Sequence, residues 1–250
     1  MHPIIILWST PRTTSTAFEW MMRMRGDMAC FHEPFGEAWY KGDDAMWPRL
    51  TSDSPRVTGL TRAMVVDRMG RAALERPVFS KDMPHYIMDI GDGAFIERYV
   101  HSFLIRDPMK AIPSIAKRAP EWGLDEYGFA EHREFFDRVA DNLGTPPPVI
   151  DSDDLLEDPH GIVAAWCRAV GVPFLPEALS WEPGARPDVG WYDDGSWHDV
   201  LAQSDGLKPQ PRRYSTMERA SAEVRAVVEM AMPHYQHLYQ HCLSPEGVPA

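Results

Sequence analysis

The order of strand-like and helix-like segments predicts an α/β fold of three layers, a central parallel sheet flanked by helices. Two observations carry that reading. The apolar run Ile4-Ile5-Ile6-Leu7-Trp8 shows no alternation, the pattern of a strand buried on both faces. Beyond it, stretches of helical periodicity alternate with short apolar runs, and no repeat with a period of roughly 20 to 50 residues interrupts them. With no linker-like stretch, the 250 residues are expected to form one domain over 1–250. Its core spans about 3–175, followed by a long loop over about 180–211 and a closing helix over about 216–242.

After the first strand, good helix formers from Thr16 to Arg25 predict a helix with Arg23 and Arg25 in its last turn and Gly26 at its end. Gly59 to Leu74 reads as a helix, Pro77-Val78-Phe79-Ser80 as a short strand ending at Lys81-Asp82, and Val100 to Ile105 as a second buried strand. The helix that follows Pro108 is expected to run to about Arg118 with a kink at Pro113, whose ring removes a hydrogen bond. Glu131 to Leu143 reads as an amphipathic helix, Val149-Ile150 as a strand, and Gly161 to Val170 as a helix closed by Gly171. Residues 180–211 are rich in Gly, Pro, Asp and Trp, as in a long functional loop. Ser215 and Glu218 form a capping box for the last helix.

Composition narrows the function classes. A formal net charge of −12 has the wrong sign for a protein that coats nucleic acid or binds an anionic membrane. The exceptions are local: residues 1–30 hold Arg12, Arg23 and Arg25 against Glu19 and Asp27, net +1. Residues 101–118 hold Arg106, Lys110, Lys117 and Arg118 against Asp107, net +3. Cys30, Cys167 and Cys242 are too few and too widely spaced for a disulfide framework or a metal knuckle. With no signal-like or membrane-length apolar segment, a cytoplasmic location is expected.

Between the first strand and first helix stands Ser9-Thr10-Pro11-Arg12-Thr13-Thr14-Ser15-Thr16, a run of hydroxyls around one guanidinium. Hydroxyl residues suit any helix cap, but a cationic fork beside them at a helix N-terminus is what an oxyanion requires. The run lacks both glycines and the lysine of a nucleoside-triphosphate P-loop.

This turn resembles the 5′-phosphosulfate-binding loop of sulfotransferases that use 3′-phosphoadenosine-5′-phosphosulfate (PAPS). Pro11, Arg12, Thr13, Ser15 and Thr16 match, whereas Thr14 stands where glycine is usual. Arg106 at a strand end and Ser114 on the next helix resemble that family's 3′-phosphate site. Asp154-Leu155-Leu156-Glu157-Asp158-Pro159 followed by Gly171-Val172-Pro173-Phe174 is similar to a structural segment of many bacterial members. The resemblance implies a P-loop nucleotide-hydrolase-like sulfotransferase fold. It also implies PAPS as sulfuryl donor, held by Arg12, Thr13, Thr14, Ser15, Thr16, Arg106 and Ser114, and a small-molecule hydroxyl acceptor. No metal is expected.

Sulfuryl transfer needs a base for the acceptor proton. Glu33 in Phe31-His32-Glu33-Pro34-Phe35 lies where several subfamilies carry a catalytic glutamate, with His32 the alternative base, His85 a more distant one, and Lys81 a possible sulfuryl contact. An ordinary polar turn at His32-Glu33 and an ion pair at Lys81-Asp82 account for the same residues. The Trp191, Trp197 and His198 cluster could cover the nucleotide or pack on the core, and Arg212 and Arg213 could reach it. His234, His237 and His241 share a helix face that reads as solvated. Two other functions fit: a nucleotide-dependent kinase with a degenerate P-loop, and a non-catalytic nucleotide-binding module.

Overall fold

The computed structural model describes residues 1–186, 189, 199–208, 217 and 220–246. Five parallel strands form one sheet in the order β2-β3-β1-β4-β5: β1 Ile4–Ser9, β2 Ala29–His32, β3 Val78–Asp82, β4 Val100–Ile105 and β5 Val149–Asp151. Strand β1 is central, and its residues alternate between two cores. Ile4, Ile6 and Trp8 face one with Phe35, Phe103 and Phe135, while Ile5 and Leu7 face the other with Phe18 and Trp166. Every β1 residue is buried, as the unbroken apolar run predicts.

Trp8 anchors the first core. Its ring lies 5.0 Å from Phe135 in an edge-on contact, and its Nε1 donates to His101 Nδ1 at 2.8 Å. His101 Nε2 in turn faces Ile96 O at 2.9 Å, so the neutral ring with its proton on Nε2 satisfies both nitrogens. Burial lowers the pKa of His101 to about 4.

The elements α1 Ser15–Met24, α3 Arg62–Ala72, α5 Pro108–Arg118, α7 Phe129–Leu143 and α9 Pro159–Val170 fall where periodicity predicts them, within a few residues. Helix α5 continues through Pro113. Three elements were not legible locally. Strand β2 is a four-residue edge strand, half-exposed over three residues, so its pattern is weak. Helix α2, Pro34–Lys41, follows a Glu-Pro step that reads as a turn, because its N-terminus is capped by a residue of β3 and by no local side chain. Helix α10, Asp199–Gln203, lies inside the expected loop, where Trp181, Leu201 and Leu207 pack on the second core and Trp181 Nε1 donates to Ser204 O at 3.0 Å. Short helices α4 Gly93–Ile96, α6 Leu124–Tyr127 and α8 Ser152–Glu157 complete the connections.

The closing helix α11, Ala222–Tyr239, starts later than expected, with Ser221 Oγ accepting from Val224 N at 3.2 Å. The Ser215–Glu218 capping box lies outside the described residues, as do Trp191, Trp197, His198, Arg212 and Arg213. Its histidine face packs against α7: His237 Nε2 lies 2.7 Å from Asp137 Oδ1, and the His241 ring lies 5.0 Å from Phe136. That face is thus shared between α7 and solvent, with the His237 side chain 31% exposed. No helix among the described residues is long and apolar enough to cross a membrane.

The unfolded chain protonates His101 at its ordinary pKa of 6.5, whereas the folded chain resists until about pH 4, so acid favours unfolding. Replacing His101 with Gln should therefore shrink the stability lost between pH 7 and pH 5 by up to about 2 kcal/mol. Urea melts of both proteins at the two pH values measure it, and equal losses would contradict it.

Candidate active site

Parallel strands end at one edge of the sheet, and crevices outside their carboxyl ends are where such folds bind ligands. Here the ends of β1, β2, β3 and β4 contribute the Ser9–Thr16 loop, Glu33, Lys81 and Arg106. A cleft of about 740 Å³ opens there. Nine of the ten sequence-predicted residues line it: Arg12, Thr13, Thr14, Ser15, Thr16, Glu33, Lys81, Arg106 and Ser114. His32 does not.

The loop is held by its own buried hydroxyls and by Ser152 at the start of α8. Thr13 Oγ1 donates to Thr10 O at 2.8 Å, and Ser152 Oγ lies 2.5 Å from Thr13 O and 2.8 Å from Ile105 O. The Thr14 side chain makes no capping bond to α1, and the first-turn residues Ser15, Thr16 and Ala17 line the cleft. Thr14 has φ 68° and ψ 5°, the left-handed conformation glycine would adopt without cost. The threonine thus keeps the glycine-like path and carries its strain. Among the described residues the non-glycine positions with positive φ are Arg12, Thr14 and Glu33, and all three line this cleft.

Both expected anchors converge. Arg12 Nε donates to Ser114 Oγ at 3.1 Å, and Arg106 Nη1 donates to Arg12 O at 2.7 Å, so Arg12 sits between the loop and the β4–α5 junction. Arg106 Nε is buried with no hydrogen-bond partner, a donor that an anionic ligand would satisfy. Burial lowers the pKa of Arg106, offset by Asp153, Asp151 and Asp107. The described lining holds six cations, Arg12, Lys41, Lys81, Arg106, Lys110 and Arg118, against Glu33 and Glu121. In a chain of net charge −12, this concentration fits a polyanion.

Lys81 and Glu33 form an ion pair with both side chains at most 5% exposed. Burial pushes the Glu33 carboxyl up, but the Lys81 ammonium and His32 outweigh it and hold the group below its ordinary range. Behind the pair, Glu19 is fully buried on α1, 2.6 Å from His32 Nδ1 and 2.9 Å from Arg23 Nε. His32 is thereby committed to the interior. Burial likewise pushes Glu19 up, and His32, Lys81 and Arg23 together hold it down.

Asp82, the alternative partner for Lys81, instead caps α2: its carboxyl oxygens accept from Phe35 N at 3.0 Å and Gly36 N at 3.2 Å. Glu33, the N-cap residue itself, makes no capping bond, so its carboxylate is available to the cleft wall. Burial drives Asp82 well above the usual carboxylate range, with Glu33 adding to the push and the accepted N–H groups opposing it. His85 also stays neutral, lowered to about 3 by burial, and does not line the cleft. Glu19 and the capping role of Asp82 were not foreseen from sequence, because nothing local marks either. Among the described residues no three His, Cys, Asp or Glu side chains are grouped to hold a metal.

A parallel sheet with a cationic, hydroxyl-rich loop at its carboxyl edge presents the kind of donors an anion needs. The family model of the sulfotransferase domain matches residues 3–241, and the chain belongs to that family. In fold it is similar to the sulfotransferase domain of the Synechococcus PCC 7002 olefin synthase, at a TM-score of 0.52 and 17% identity over 92% of this chain and 94% of that one. The sulfotransferase domain from the curacin biosynthetic pathway gives 0.51 and 14% over 93% and 98%. Two Arabidopsis thaliana relatives, branched-chain-amino-acid aminotransferase-like proteins 2 and 1, are 25% identical over 98% of this chain. The chain spans only 45% of their length.

Two outcomes test this geometry. Thr14→Gly should stabilise the protein by about 1 kcal/mol by relieving the left-handed threonine, read as a higher thermal midpoint. Lys81→Met should cost about 3–5 kcal/mol by stranding buried carboxylate charge, and adding Glu33→Gln should recover part of that loss. Simple additivity in the double-mutant cycle would contradict the pairing.

Proposed function

We propose that this chain works as one domain that transfers a sulfuryl group from PAPS to the hydroxyl of a small-molecule acceptor. The observation that carries the reading is the convergence of Arg12, Arg106, Ser114 and the uncapped α1 N-terminus on one cleft that also holds the Glu33–Lys81 pair. The unpartnered Arg106 Nε and the surplus of cations suit a ligand with anionic groups at two positions.

When bound, PAPS supplies the activated sulfuryl group together with a bisphosphate that departs readily. Arg106 and Ser114 hold its 3′-phosphate, while Arg12, Thr13 to Thr16 and the first-turn N–H groups of α1 hold the 5′ anion. Lys81 lies at the cleft wall beside Glu33 and is positioned to trade its carboxylate partner for sulfuryl oxygens. Glu33, ionised at neutral pH, takes the proton that the acceptor hydroxyl loses. As Lys81 withdraws, the burial of Glu33 raises its basicity, so cofactor binding readies the base. His32 supports the Glu19 carboxylate from the other side and has no part in proton transfer.

Isothermal titration with the desulfonated cofactor, 3′-phosphoadenosine-5′-phosphate, should give saturable binding. Magnesium-dependent binding of ATP in its place would favour a kinase. Arg106→Ala should weaken the 3′-phosphorylated nucleotide by about tenfold or more and its dephosphorylated counterpart far less, since one charged hydrogen bond is worth about 1.5–3 kcal/mol. Equal losses would refute the assigned anchor. Glu33→Gln should abolish turnover without weakening nucleotide binding, because the change removes a base and no phosphate donor and leaves Lys81 without its carboxylate competitor.

A further inference from the structure

Beyond Glu33 the cleft lining includes three rings whose polar atoms already have partners. Tyr40 on α2, Trp47 in the segment after it and Tyr86 after β3 all line the cleft. The Tyr40 ring centroid lies 5.6 Å from that of Trp47 and 5.8 Å from that of Tyr86. Tyr40 and Tyr86 share a side-chain hydrogen bond, the Tyr86 hydroxyl donates to Met83 Sδ at 3.6 Å, and Trp47 Nε1 donates to Glu126 Oε1 at 3.3 Å. The Arg49 guanidinium lies 5.1 Å from the Trp47 ring and pairs with the buried Glu126, which fixes the indole further. With those hydroxyl and indole N–H groups engaged inside the protein, this wall offers a ligand mainly ring faces and a thioether.

Such a surface binds flat apolar groups by stacking and gives a polyol little, since each buried sugar hydroxyl needs its own partner. We propose that the Tyr40, Trp47 and Tyr86 wall is the acceptor site and that its acceptor is a phenol, stacked on Trp47 and Tyr40 with its hydroxyl at Glu33. This rests on the sulfuryl-transfer reading and adds the acceptor class to it. In the reaction the phenol gives its hydroxyl proton to Glu33 and its oxygen forms the new bond to sulfur. The bond from sulfur to the bisphosphate breaks, with the electron pair staying on the bisphosphate. Proton chemistry agrees with the geometry. Glu33 is held below the ordinary carboxyl range by Lys81 and is a weak base until that cation withdraws. A phenol, which ionises near pH 10, suits it far better than an alkyl hydroxyl close to water at about 15.7.

The test compares 4-methylphenol with 4-methylcyclohexanol, which has the same skeleton without planarity or acidity, and with glucose. Titration of the desulfonated cofactor comes first, and its failure to bind would sink the sulfuryl-transfer reading itself. With that binding in place, calorimetric titration of each acceptor into the cofactor-loaded protein and transfer of labelled sulfate from PAPS are measured. The phenol is expected to bind and to be turned over at least about 100-fold faster than either alternative. Trp47→Leu should raise its half-saturation about tenfold, the size of a lost aromatic contact, with cofactor affinity unchanged. Trp47→Phe, which keeps a ring, should restore most of it. Equal or faster turnover of 4-methylcyclohexanol or glucose, absence of phenol binding, or an unchanged half-saturation in Trp47→Leu would each overturn the phenol assignment while leaving the cofactor site standing.

Discussion

Lys81 and Glu33 meet where β2 and β3 end side by side, and their ion pair is withdrawn almost completely from water. A buried ammonium and carboxylate lose several kcal/mol of hydration each, and their attraction roughly offsets that only when the surroundings also hold them in place. Here the surroundings do. Backbone pairing ties Glu33 N to Lys81 O at 2.8 Å, Asp82 caps the helix that begins at Glu33, and Glu19 with His32 and Arg23 forms a second charge cluster behind. Loss of either member of the pair would therefore be felt through β2, α2 and the back of α1 together.

Backbone strain in the described chain is concentrated at the same place. Arg12, Thr14 and Glu33 all occupy left-handed conformations that cost an ordinary residue about 1–2 kcal/mol. Rigid neighbours hold each one: Arg106 bonds the Arg12 carbonyl, Ser152 faces the Thr13 carbonyl, and the Lys81 carbonyl receives Glu33 N–H. The cost purchases direction, because these conformations bring the start of α1 and the Glu33 carboxylate to a common cleft.

The charge distribution follows the same division. An acidic chain gathers six of its 25 Lys and Arg residues around this cleft, and several of them already have carboxylate partners, such as Lys110 with Asp153 at 2.6 Å and Arg118 with Asp199 at 3.5 Å. In the proposed function an anion entering the cleft would compete with those partners, so its affinity would depend on how readily each pair opens. The aromatic side chains of the lining, Tyr40, Trp47 and Tyr86, carry no such competition.

Much of this was written locally in the chain. The unbroken apolar run made β1 a central strand, because a strand with two buried faces has no polar residue to alternate with. The hydroxyl-rich turn with Arg12, and Arg106 eight residues before Ser114, marked anion donors, because their chemistry is legible one residue at a time. Long helices followed their apolar stripes. Tertiary structure alone decided the rest. Helix α2 begins because a carboxyl group from β3, nearly fifty residues on, satisfies its first N–H groups. Lys81 pairs with Glu33 and not with its neighbour Asp82, and His32 turns inward to Glu19, because adjacent residues at a strand end point in opposite directions and only the packed sheet determines what each one meets.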